Sequence, residues 1–144
     1  MDNIGIKGWF DITKINPDGT MNNFHVPNTV VADGKMTIAS LIVNDVANPD
    51  AFDYLAIGSG ISAVVVENSG LKNEVYGRIN SSGAVIGSVC TFTGSFAISG
   101  TIGISEYGIF NSPSAGSMLA RASGTTIDAN NGDFLTVSYT LIVS

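Results

Sequence analysis

The chain is poor in charge. Of its 144 residues only 18 are Asp, Glu, Lys or Arg, about half the share usual in a globular domain. The six Lys and Arg stand singly along a chain of net charge −6. No basic stripe exists to neutralise phosphates, so nucleic-acid binding is not expected. One cysteine, Cys90, excludes an internal disulfide and a cysteine-rich metal site. One histidine, His25, leaves no His cluster for a metal and no cofactor site is expected. No apolar run approaches the length of a membrane span. Met1-Asp-Asn-Ile4 lacks the basic and long apolar regions of a signal peptide, which predicts synthesis in the cytoplasm.

What is abundant is apolar and small. Hydrophobic residues make up 44% of the chain, too many for disorder, and Gly, Ser, Thr and Asn supply frequent turns. One domain over residues 1–144, with eight or more short strands, reads as an antiparallel β-sandwich of jelly-roll-like type. Residues 4–26 predict a hairpin. Asn16-Pro-Asp-Gly19 suits a type I turn closed by a left-handed glycine, which sets Asn16 opposite Thr20, Ile12 opposite Phe24 and Asp11 opposite His25. Met36, Ala39, Ser40 and Val43 keep helical spacing, so residues 34–44 predict one short helix, its apolar face widened by Ile38, Leu41 and Ile42. Residues 52–143 supply the remaining strands. The clearest is Phe134 to Val143, where Leu135, Val137, Tyr139 and Leu141 alternate with Thr and Ser.

The sharpest chemistry lies in Ile104 to Ser123, two strand-like runs around an Asn/Ser/Pro/Gly turn. With Phe110 opposite Ser117, Glu106 falls opposite Arg121, an opposed pair on one face that fixes register. The alternative is a carboxylate acid or base beside an anion-binding arginine. Glu74 and Arg78 share the face of another strand but lie ~13 Å apart at about 3.3 Å per residue, so each would need a partner elsewhere. An acid paired with arginine stays ionised, the opposite of what a general acid requires. No Gly-x-Ser-x-Gly elbow is present, and Gly58-Ser-Gly60 reads as a turn rather than a phosphate loop. No catalytic residue is assigned, and a non-enzymatic protein is expected. A glycosidase-like use of Glu74 and Glu106 is the enzymatic rival.

Several short motifs run in order along the chain: Gly8-Trp-Phe10, Val26-Pro-Asn-Thr-Val-Val31, Ala32-Asp-Gly-Lys-Met-Thr-Ile-Ala39 and Leu55-Ala-Ile-Gly-Ser-Gly60. Leu71-x-x-Glu74-x-x-x-Arg78, Glu106-x-Gly-Ile-Phe-Asn111, Gly116-Ser-Met-Leu-Ala-Arg121 and Gly132-Asp-Phe-Leu-Thr-Val-Ser-Tyr139 follow. This order resembles small tailed-phage virion proteins, head decoration and tail-associated alike. The resemblance implies a structural protein of the virion, made in the host cytoplasm. In the first form it reinforces the outer capsid surface by contact with the major capsid protein, as a homo-oligomer such as a trimer. In the second it is a tail-fibre or baseplate module binding a receptor or carbohydrate, with Tyr54, Tyr76, Tyr107 and Trp9 as stacking candidates. No nucleic acid or membrane is implied. The apolar N-terminal segment, Ile4, Ile6, Trp9 and Phe10, is the candidate docking surface.

Overall fold

The computed structural model describes residues 4–43 and 50–144. Two five-stranded antiparallel sheets face one another, an all-β sandwich with one short helix. The first hairpin, β1 (Ile6–Ile15) and β2 (Met21–Pro27), closes as its turn chemistry requires. Asn16 and Thr20 are bonded, Gly19 has φ +88°, and Ile12 pairs with Phe24 and Asp11 with His25. After β3 (Thr29–Val30) comes helix α1 (Ala32–Val43), then β4 (Tyr54–Gly58), β5 (Glu74–Asn80), β6 (Ser82–Ile86), β7 (Val89–Ala97), β8 (Ile102–Phe110), β9 (Met118–Ala129) and β10 (Phe134–Val143). One sheet runs β2-β1-β10-β7-β6, the other β3-β9-β8-β4-β5.

Between the sheets lies the main core. Phe10, Ile12, Leu135, Val137 and Tyr139 from the first sheet join Leu55, Ile57, Tyr107 and Ile109 from the second, and the Phe10 ring lies 4.6 Å from Tyr139 and 5.9 Å from Tyr107. Gly94 lies within a regular stretch of β7. Its β7 register with β10 is unbroken, and a Cβ there would stand 2.9 Å from Ile79, so the glycine permits close approach of the opposite sheet.

The helix buries only part of the expected apolar face. Met36, Ile42 and Val43 are exposed, whereas Gly34 and Thr37 are buried and Ile38 and Leu41 pack on the core. Gly34 decides this orientation: a Cβ there would come 2.4 Å from the Leu119 carbonyl oxygen, so only glycine lets the helix lie this close to β9. Asp33 also ties helix to strand, its Oδ2 accepting the Met118 N–H at 3.2 Å.

The second sheet is covered on both faces. Its outer side carries a smaller cluster of Val31, Ala56, Phe110 and Met118, flanked by Tyr54 and Leu71. Residues 59–73 cross this outer side without strand or helix, although Ile61 to Val66 is β-branched in composition. Burial on both faces explains why β8 lacks the polar alternation of a surface strand.

Candidate functional site

Glu106 and Arg121 do meet, and both side chains are completely buried. They are not directly opposed. Glu106 pairs with Ser123, and Arg121 pairs with Gly108, two residues from the expected register. One residue of the shift arises at the loop, where Asn111 and Ser117 are bonded, and the second at Leu119, which is bulged out of the β8–β9 ladder. An even shift preserves the face, so the pair survives as a diagonal contact. Arg121 Nε and Nη2 each stand 2.9 Å from Glu106 Oε2.

The remaining bonds run to the segment that crosses above. Arg121 Nη2 donates to the Ser62 carbonyl at 3.1 Å, and Nη1 donates to the Ala63 carbonyl at 3.4 Å and to Asn68 Oδ1 at 3.2 Å. All five guanidinium donors therefore have an acceptor available. Glu106 Oε1 accepts the amides of Gly60 at 3.0 Å and Asn73 at 2.7 Å, and Oε2 accepts that of Lys72 at 2.9 Å. Ser105 Oγ adds a bond to the Gly60 carbonyl at 2.9 Å. The ion pair is a clasp that holds residues 59–73 down on the sheet.

The glycines of Gly58-Ser-Gly60 belong to this clasp. A Cβ on Gly58 would stand 2.5 Å from Glu106 Oε1, and one on Gly60 would stand 2.6 Å from the same oxygen. Their absent side chains make room for the carboxylate, a role the sequence reading of a plain turn does not contain.

Burial by itself would raise the Glu106 carboxyl, but the amides of Lys72 and Asn73, the Arg121 guanidinium and the Gly60 amide together outweigh it and hold it below the ordinary glutamate value of 4.5. The acid is thus ionised and out of reach of solvent, with its lone pairs engaged. A group bound more tightly as carboxylate in the folded state adds stability above its unfolded pKa and loses it as pH falls through the lower folded value. Acid titration followed by tryptophan fluorescence should show the fold unchanged down to about pH 4.5 and weakening only below it. Glu106→Gln should lack this component of the acid limb.

Glu74 and Arg78 correct the sequence expectation. They pair directly and bidentately, Nε to Oε2 at 3.0 Å and Nη2 to Oε1 at 3.1 Å. β5 is not extended between them: Tyr76 has φ +60°, and two β4 steps from Leu55 to Ile57 face four on β5. The kink shortens the path, and Arg78 then stacks 3.5 Å over the Phe110 ring and donates to the carbonyls of Ser112 and Ala115. It pins the β8–β9 loop as Arg121 pins the crossing segment.

Glu74 and Glu106 both pair with Gly58, one on each side of β4. Among the described residues this row sets two strand glutamates on either side of one β4 residue, the kind of juxtaposition glycoside cleavage would need. Each is instead turned to its own arginine, and Glu106 is sealed beneath residues 59–73. Among the described residues no group of three or more His, Cys, Asp or Glu gathers as a metal site, and no helix is long and apolar enough to cross a membrane.

The candidate docking residues separate. Ile4 is exposed and Trp9 half-buried, while Ile6 packs against the core and Phe10 is fully buried within it. Phe10 is therefore a core residue and cannot dock. Tyr107 is likewise buried, which removes it as a stacking surface, and burial raises its hydroxyl pKa. Trp9 lies on the outer face of the first sheet, its Nε1 donating to Asp11 Oδ2 at 3.0 Å and its ring 6.0 Å from that of His25. His25 Nδ1 stands 2.7 Å from Asp11 Oδ1. Comparison of the chain with known protein families, curated proteins and solved structures finds no match.

Proposed function

We propose that this is a non-enzymatic structural protein of a phage virion, a decoration protein that binds the outer capsid surface and reinforces it. The observation that carries this reading is the engagement of Glu74 and Glu106 by arginines that hold loops in place. Such an arrangement rigidifies a surface for adhesion and supplies no accessible proton donor. The resemblance in motif order supports the virion assignment. A largely uncharged sandwich surface with Trp9 and Ile4 on it suits contact with another protein, where a central aromatic dominates the binding energy.

Counting copies in purified particles by mass spectrometry separates the two virion readings: hundreds per particle fit a decoration protein, and a few fit a tail component. On shells stripped of the protein and reloaded, Trp9→Ala should lower occupancy at least about 10-fold at limiting concentration while the free variant melts as wild type. Unchanged occupancy would contradict docking through the first hairpin. The second reading, a carbohydrate-binding tail module, is favoured by one feature, the Trp9–Asp11–His25 group beside a depression of about 330 Å³ that Thr13 and Asn23 also line. A glycan array probed with wild type and Trp9→Ala decides it.

A further inference from the structure

Of the four sheet edges, three carry features that discourage pairing with another chain. β2 ends in Pro27, β3 has only two residues, and β5 is kinked at Tyr76 and bears Glu74 and Arg78. β6 carries none. Ser82-Gly-Ala-Val-Ile86 has every residue exposed, no proline, no charge and an unbroken register with β7. It lies in a stretch from Ile79 through Ser105 that contains no charged residue at all. In a chain of net charge −6, this is where two copies can touch without like charges at the seam.

We propose that β6 pairs with β6 of a second copy of this chain, antiparallel about a two-fold axis through Ala84, joining two five-stranded sheets into one of ten. The two-residue turn Gly87-Ser88 sets Ile86 and Val89 in mutual hydrogen bonding, so alternation along the ladder aims the backbone groups of Gly83 and Val85 outward. In the two-fold register Gly83 of each copy faces Val85 of the other, and these outward groups satisfy one another. Shape agrees. Gly83, Val85, Cys90 and Phe92 line a depression of about 230 Å³, into which a Cβ on Gly83 would project to 3.4 Å from the Phe92 ring. The facing Val85, exposed in the single chain, fills it. A two-fold seam forms pairs, which departs from the trimer the resemblance suggests, and the inference does not depend on a capsid partner.

Five residues of edge are a small contact beside the ~800 Å² per partner of a standard interface, so the pair is weak. Sedimentation of the full chain up to roughly 1 mM should show a monomer of 14.9 kDa passing to a dimer as concentration rises. Ala84→Lys and Ala84→Glu place like charges opposite one another at the axis, and each should bind itself more than about 10-fold more weakly. Their equimolar mixture should pair again. Position 84 is exposed, so both variants should keep the wild-type circular dichroism. A wild type that stays monomeric throughout would overturn the proposal, as would folded variants that pair unchanged or a mixture that fails to pair.

Discussion

Arg121→Met is expected to lower stability by about 3–5 kcal/mol, the usual cost of removing one partner from a buried ion pair. The variant leaves Glu106 with its three backbone amides but without the countercharge, and it takes the Arg121 donor from the carbonyls of Ser62 and Ala63. Glu106→Gln should cost a similar amount for a different reason. The hydrogen-bond partners of that carboxylate are donors, so an amide NH2 placed there turns its hydrogens toward N–H groups instead of acceptors. At about 2–4 °C per kcal/mol for a chain of this size, the melting point should fall by roughly 6–20 °C in either variant. The sign of the change is informative. Removing an acid strained for catalysis commonly stabilises a protein, whereas removing a strut destabilises it. A melting point that rises in Glu106→Gln would favour the enzymatic rival.

Gly58→Ala is the second large effect. The new methyl would meet Glu106 Oε1 at 2.5 Å and the Asn73 carbonyl oxygen at 2.6 Å, one a fully engaged carboxylate and the other backbone. Neither can move without breaking a bond of the clasp, so the cost should reach about 3 kcal/mol, the upper end for overpacking. Gly70→Ala is the internal control, since nothing lies within 4 Å of a Cβ there. Limited proteolysis should cut residues 59–73 faster in Gly58→Ala and leave Gly70→Ala as wild type. Equal cutting in both would mean that the glycine does not secure the crossing segment.

These two variants mark the boundary of what the sequence makes legible. Residues whose geometry is set by near neighbours read correctly: Asn16-Pro-Asp-Gly19 fixes its hairpin to the residue because turn chemistry and apolar alternation agree. The Glu106–Arg121 contact survives a register error of two because face depends only on parity. The segment 59–73 is opaque for the opposite reason. Its anchors are backbone amides bonded to a carboxylate 33 to 46 positions away, and amides carry no sequence signal. Gly58 and Gly60 leave a trace, as two small residues needed beside a bulky buried acid, and so does Asn68, a buried side chain that accepts from Arg121. Glu74–Arg78 is hidden by a left-handed Tyr76 that no residue preference predicts. The helix face misleads because its closest contact is made by Gly34, through the side chain it lacks.

Hydrogen exchange resolved at the amides of Gly60, Lys72 and Asn73 tests the clasp most directly. These three lie in a segment without regular structure, where exchange would ordinarily be fast. If Glu106 holds them, they should exchange as slowly as the strand amides of β8 and lose that protection in Glu106→Gln while the first hairpin keeps its own. Fast exchange at all three in the wild-type chain would contradict the account.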